Sequence, residues 1–431
     1  MAELIAPAVQ EHSPNPHLLA KLVALGDTVP VAASEDVYSA TGVKLVSKGS
    51  RIDEKLQERL LQHKLRKPLE RCMAVDAEPP PLGQLACSLL DQVPGLRGLL
   101  GPGAIALLDE LSAQIRQGPA ATLQLALLQH EGPHPLAHAA LKAGIAIELC
   151  LRKGCSVEDI RLTGLATLLQ DVGELYIDPQ LLNPRRPLSP EEWRHVLVHP
   201  VLGGRVVREL GELPERVARA IEEHHERCNG CGFPRGLQGD AISFAGKVAS
   251  ISHMLVSLAL QQGASLPRIG LALRIIAGEY EPALVALILQ EISIAAQPDE
   301  AQALPAQLAE DTHRLLHRIG EIVLLLHHCE DVAGTREMRQ LVAETSRQFQ
   351  IIQRAFSSTG LDLEVCDALL LGDAAPVALA QEIRGILDEL NWRLRELGMR
   401  TALRCAQLSA SEQQVLGELC QLLGWSQARE G

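Results

Sequence analysis

Two adjacent histidines, His224 and His225, close a helical pattern and run at once into a glycine-rich loop, HHERCNGCGFPRGLQG at residues 224–239. Paired imidazoles suit a transition metal, and the glycines suit a backbone that another group approaches closely. In ERVARAIEEHHER, which follows Pro214, Val217 and Ile221 recur at i and i+4, so His224 and His225 at i+7 and i+8 extend the same inward stripe. Imidazoles that face a core or a cleft need partners, and the candidates are a metal, a carboxylate or a backbone carbonyl. Upstream lie His138, early in PLAHAALKAGIAIELC, and Asp171 in LLQDVGELYI, whose helical neighbours Leu168 and Leu175 are apolar. His199 ends one helical segment and begins the next. His253 interrupts the apolar VASISHMLVSL, where a metal ligand and a core histidine bonded to a carbonyl are both admissible readings. Cys228 and Cys231 form a Cys-x-x-Cys pair inside the loop. With no second pair or histidine at zinc spacing beside them, they are read as neutral loop substitutions rather than a zinc or redox site.

The elements that must hold these residues are mostly helical. Ser189, Pro190 and Glu192 in SPEEW make a capping box with proline in the first turn. Pro200 after His199, and Pro214 before ERVARAIEEHHER, open two further helices. Proline-rich joints at 76–83 (DAEPPPLG) and 295–307 (AAQPDEAQALPAQ) divide the chain into an N-terminal unit over 1–80, a helical unit over 81–295 and a C-terminal unit over 306–431. In the first unit, VPVAASEDVYSATGVKLVSKGSRI alternates around a Thr41-Gly42 turn and predicts a hairpin, followed by a helix from about Asp53 to His63, a small α+β module. In the last, Leu308, Leu315, Ile319, Ile322 and Leu326 recur at helical spacing and predict three or four amphipathic helices. The expected fold is mostly α, with the α+β module in front and a helical bundle behind.

Composition narrows the function classes. The 431 residues are 47% hydrophobic, enough for more than one sizeable core, and only 2% aromatic, which leaves few stacking platforms for single-stranded nucleic acid. A net charge of −13 argues against a general phosphate-backbone binder, while leaving room for a local anion site. Nucleic acid is not an expected partner. The N-terminus has no basic start with an apolar run, no stretch reaches 18 uninterrupted apolar residues, and the ten cysteines have no framework spacing. These features predict a cytoplasmic protein without a membrane span.

The order of motifs carries more information than any one of them. LLQDVGELYIDPQLLNPRRPLSPEEWRHVLVHPVLGGRVV followed by HHERCNGCGFPRGLQGDAISFAGKVASISHMLVSLA resembles the HD-GYP subgroup of the HD superfamily of metal-dependent phosphohydrolases, over about 125–290. The resemblance implies a helical domain that holds iron or manganese ions and hydrolyses cyclic di-GMP. Carried over position by position, it makes His138, Asp171, His199, His224 and His225 metal ligands, with Asp171 the catalytic bridging aspartate of an active enzyme. His253 stands where an aspartate ligand is expected and is retained as a candidate. Gly232, Phe233 and Pro234 match the Gly-Tyr-Pro loop without the phenol oxygen. His134 lies near a family carboxylate position, although Pro135 would hold it outside the helix. Two positions depart: Gln170 stands where the first histidine of the His-Asp pair belongs, and Glu174 where a lysine would face phosphate. An amide is a poor substitute for imidazole on a transition metal.

The expectation is therefore a bacterial signalling protein with a degenerate site, holding one or two iron or manganese ions, or none if the site is dead. Its partner would be cyclic di-GMP or a signalling protein, with a homodimer through the last helices. An active cyclic di-GMP phosphodiesterase and an architectural helical scaffold are the alternatives.

Overall fold

The computed structural model describes residues 12–78, 80–116, 118–130, 135–183, 188–262, 266–295, 301–302, 306–359, 361 and 375–425. Helices dominate, and the strands described form only short two-stranded antiparallel pairs, in agreement with the mostly-α reading. The chain resolves into two compact units, one formed by 1–186, 195–263 and 280–291, the other by 187–194, 264–279 and 292–431.

The first unit opens with α1 (Pro16–Gly26), whose free N–H groups at His17 and Leu18 are accepted by the Asn15 side chain. Strand β1 (Val31–Ala33) follows, and then β2 (Val37–Tyr38) pairs with β3 (Lys44–Val46) across the anticipated Thr41-Gly42 turn, where Gly42 takes a φ of 87°. Helix α2 (Glu54–Leu61) starts at Asp53, which accepts from the Leu56 N–H at 2.7 Å. Strand β4 (Met73–Val75) returns to pair with β1, a contact that no alternation in the sequence announces.

The helices α3 (Leu82–Leu90), α4 (Pro102–Ile115), α5 (Pro119–His130), α6 (Pro135–Lys153) and α7 (Val157–Leu169) come next. Helix α6 is central and packs on α3, α4 and α7. Its Leu141, Ile145 and Ile147 have no solvent exposure, which contributes roughly 1.5–3 kcal/mol of transfer free energy for each side chain. Ser156 caps α7 by accepting from the Asp159 N–H. Then follow α8 (Pro190–Leu197), α9 (His199–Leu210), α10 (Glu215–Glu223), α11 (Phe244–Gln262), α12 (Leu266–Arg274) and α13 (Pro282–Ala295). The capping box of α8 is present: the Ser189 N–H donates to Glu192 Oε2 at 2.8 Å and the Glu192 N–H to Ser189 Oγ at 3.2 Å. Helix α9 ends where Gly211 adopts the left-handed conformation, φ 68°.

The second unit contains α14 (Ala306–Val332), α15 (Arg336–Ser358), α16 (Val377–Cys405) and α17 (Ala410–Leu422). Leu308, Leu315, Ile319, Ile322 and Leu326 are all buried, in one core with Phe349, Leu390, Leu394 and Leu416, as their periodicity predicts. Within this unit the buried Arg393 guanidinium bridges Glu279 at 2.7 Å and Glu389 at 2.6 Å.

Candidate metal centre

Helix α7 stops at Leu169, with Gln170 at its C-cap, and the chain turns through Asp171 at φ −95°, ψ 6° into a 3-10 turn over Val172–Tyr176. That is the sparsely populated bridge region in which many site residues sit. Gly173 decides what the turn can touch: a Cβ placed there would lie 2.0 Å from the His199 carbonyl oxygen and 2.8 Å from the Gly203 nitrogen. Backbone therefore rests on backbone, and the turn carrying Asp171 seats directly on the first turn of α9, which carries His199. Helix α1 braces the outer side, with Asn15 Nδ2 donating to Tyr176 O at 3.0 Å and Lys21 Nζ to Glu174 O at 3.2 Å.

Helix α10 brings the histidine pair, with one correction to the sequence reading. The inward stripe Val217, Ile221, His224 holds, but the helix ends at Glu223; His224 is the cap and His225 lies beyond it. The reason is that the His225 carbonyl accepts from the Phe233 N–H at 3.1 Å, so the backbone has left the helical path to join the loop. The His225 ring stacks on Phe233, with centroids 4.4 Å apart and planes 16° from parallel.

Three donors converge. His199 Nε2 is 3.2 Å from His224 Nε2, and Asp171 Oδ1 is 3.5 Å from His224 Nε2 and 4.0 Å from His199 Nε2. The Nδ1 atoms of the same two rings lie 2.8 Å from Val196 O and 2.7 Å from Ile221 O. A carbonyl only accepts, so Nδ1 carries the proton in each ring and both Nε2 lone pairs face the shared space, the orientation that metal-ligating histidines receive from their outer partners. Ligands about 2.0–2.2 Å from a first-row ion stand roughly 3.0–3.5 Å apart. The triad fits one such ion, with the His199 to Asp171 edge about half an ångström wide. Two histidines and a carboxylate form a donor set found around first-row ions such as zinc and iron(II). The ligand atoms of His225 group with those of His199 and His224, those of His253 with Asp171 and His224, and those of Glu174 with Asp171 and His199, each set within 4.8 Å.

The electrostatics keep the imidazoles of His199, His225 and His253 in their ligating form. Burial, reinforced by the neighbouring His224, lowers His199 to about 4. Burial and the adjacent ring of His224 hold His225 well below the ordinary histidine value, and burial with the Lys142 ammonium does the same for His253. Burial alone would raise the Asp171 carboxyl, but the Lys142 ammonium holds it well below the usual carboxylate range.

His138 is half-buried on α6 and belongs to none of these ligand groups among the described residues, and His134 lies outside the described residues. Gln170 is fully buried; its Nε2 donates to His253 Nδ1 at 2.8 Å, and its Oε1 has no hydrogen-bond partner. Gly232 packs so tightly that a Cβ would meet the Arg227 nitrogen at 2.2 Å. Cys228 and Cys231 are half-buried in the same loop, and the ligand groups draw only on histidine, aspartate and glutamate.

Two residues escaped the sequence reading. Lys142 points its Nζ into the centre, 2.8 Å from Asp171 Oδ2 and 3.3 Å from His253 Nδ1. Its signal was a lone charge within the apolar AALKAGIAI run. Buried Glu226 organises the loop, accepting from the Arg235 N–H at 2.7 Å and the Leu237 N–H at 2.9 Å.

The sequence profile of the HD domain family matches residues 122–279. The cyclic di-GMP phosphodiesterase PA4108 of Pseudomonas aeruginosa is 29% identical over 145 residues, covering 34% of this chain and 35% of that protein. The 3'3'-cGAMP-specific phosphodiesterase 3 of Vibrio cholerae is 30% identical over 97 residues, 22% of this chain and 21% of the relative. The cyclic di-GMP phosphodiesterase response regulator RpfG of Xanthomonas campestris is 30% identical over 118 residues, 27% of this chain and 30% of the relative. The matching segments thus span about a third or less of the length of these curated relatives. No helix among the described residues is long and apolar enough to cross a membrane. That profile covers the segment that contributes every converging ligand, so residues 122–279 carry an HD domain similar in sequence to those of cyclic dinucleotide phosphodiesterases.

Proposed function

We propose that this is a signalling protein whose HD-GYP-type domain holds iron or manganese and binds a cyclic dinucleotide of the cyclic di-GMP class while hydrolysing it slowly or not at all, acting as an effector. The observation that carries this reading is Glu174, whose carboxylate groups within 4.8 Å of the ligand atoms of Asp171 and His199. A phosphoryl oxygen approaching to about 5 Å of that carboxylate meets roughly 3 kcal/mol of repulsion at an effective dielectric of about 20. Gln170 adds to it, since its amide is turned to His253 and supplies no imidazole to the cage. Asp171, His199 and His224 would hold the ion, with His225 beside them. When bound, such an ion supplies Lewis acidity and a nucleophile at neutral pH. The chain's own residues orient the ligand rings through Val196 and Ile221, and the loop held by Glu226 sets Phe233 over His225.

The second reading, an active cyclic di-GMP phosphodiesterase, is favoured by the triad itself, which fits an ion once the His199 to Asp171 edge closes by about half an ångström. Purified protein given manganese or iron(II) and cyclic di-GMP separates the two. The effector reading expects binding with turnover absent or very slow, and a rise in turnover in the Gln170→His, Glu174→Lys double variant. Rapid turnover by the unaltered chain, abolished in His224→Ala, would overturn it. Failure to bind any cyclic dinucleotide favours a scaffold.

A further inference from the structure

Asp171 divides its two oxygens between different neighbours. Oδ1 faces His199 and His224, while Oδ2 receives Lys142 Nζ at 2.8 Å. Lys142 is only 7% exposed on the central helix α6, and its Nζ also lies 3.3 Å from His253 Nδ1. The same Nδ1 receives the Gln170 amide at 2.8 Å. We propose that the Lys142 ammonium is a built-in cation that takes the place of a second metal ion, so that the cage accepts one ion per chain. This rests on the metal-cage reading above and deepens it.

In two-metal sites the ions lie roughly 3.5–4 Å apart, a gap that one carboxylate spans by offering an oxygen to each side. Here one side is a set of imidazole nitrogens with open lone pairs, and the other is already filled by an ammonium in contact with both donors a second ion would use. An ion on Oδ2 and His253 Nδ1 would sit about 2.0–2.2 Å from each, inside the volume of Nζ. Lysine donates three protons and accepts none, so it cannot ligate while charged, and it repels a divalent cation beside it. The ammonium also neutralises Asp171 when no metal is bound, which lets a buried carboxylate persist in the metal-free protein. Gln170, whose Nε2 donates to His253 Nδ1, leaves its own Oε1 buried without a hydrogen-bond partner.

The test counts ions. The full chain, stripped and reloaded with manganese(II) without oxygen, is passed over a desalting column, its metal is quantified by mass spectrometry, and its electron paramagnetic resonance spectrum is recorded. The unaltered chain is expected to retain one ion with the six-line signal of isolated manganese. Lys142→Ala is expected to retain two, with the signal broadened by exchange coupling, and Lys142→Arg to stay at one. Lys142→Met, which preserves most of the apolar stem, serves if the alanine variant does not fold: its metal-free form should melt below the unaltered chain, and manganese should raise its melting temperature by the larger amount. Two ions in the unaltered chain, or one in the folded alanine or methionine variant at unchanged affinity, overturns the proposal and leaves the cage reading standing. No ion in any of them overturns both.

Discussion

Gly173→Ala probes the contact on which the centre depends. The added Cβ would lie 2.0 Å from the His199 carbonyl oxygen and 2.8 Å from the Gly203 nitrogen, and all these atoms are backbone, so no side chain can swing aside. Reaching ordinary contact requires the 172–176 turn and the start of α9 to part by about 1.4 Å, whereas a metal site tolerates displacements of only about 0.2 Å in ligand position. Overpacking of this kind costs about 1–3 kcal/mol, sometimes more, which in a unit of this size lowers the melting temperature by about 2–12 °C. The sharper consequence concerns the ligands, because Asp171 and His199 sit on the two sides of the forced gap. The variant is expected to fold with a reduced melting temperature and to lose most of its manganese affinity in titration calorimetry. Unchanged melting together with unchanged metal affinity would refute the claim that this glycine contact sets the ligand geometry.

Other outcomes follow from the same site. The histidines predict acid sensitivity of the metal-free protein: His199 is lowered to about 4, and His225 and His253 also lie below the ordinary value, so the unfolded chain binds more protons as pH falls below about 6.5. Stability is therefore full above that pH and is lost as pH falls toward 4, with His199 alone accounting for about 3 kcal/mol; a melting temperature that stays flat from pH 7 to pH 5 in chelator would contradict this. Bound metal should blunt the loss, since it competes with the same protons. Glu226→Gln weakens two charge-assisted bonds to the Arg235 and Leu237 N–H groups, at about 1–3 kcal/mol, and should expose the 227–239 loop to limited proteolysis. Cleavage no faster than in the unaltered chain would remove Glu226 from its organising role.

Much of the architecture was legible because it follows from local rules. The Ser189 and Glu192 capping box, the Thr41-Gly42 hairpin, the proline-marked start of α9 and the buried stripe from Leu308 to Leu326 are each written within a few residues of sequence, and the structure reproduces them. The gathering of Asp171, His199 and His224 was anticipated from motif order, yet spacing alone could not show that both rings turn Nε2 inward. That orientation comes from the carbonyls of Val196 and Ile221, which are invisible to a side-chain pattern. The end of α10 was misjudged by periodicity because a hydrogen bond from Phe233, eight residues downstream of His225, competes with the helix.

Sequence by itself determined the donors: which residues carry imidazole, carboxylate and amide. Only tertiary structure decided what lies between them. The Lys142 ammonium comes from another helix, 29 residues before Asp171, and its place beside that carboxylate is set by how α6 packs against the turn. Coulombic and coordinate interactions depend on distance in space, and distance in space between residues far apart in the chain is a property of packing rather than of any local pattern.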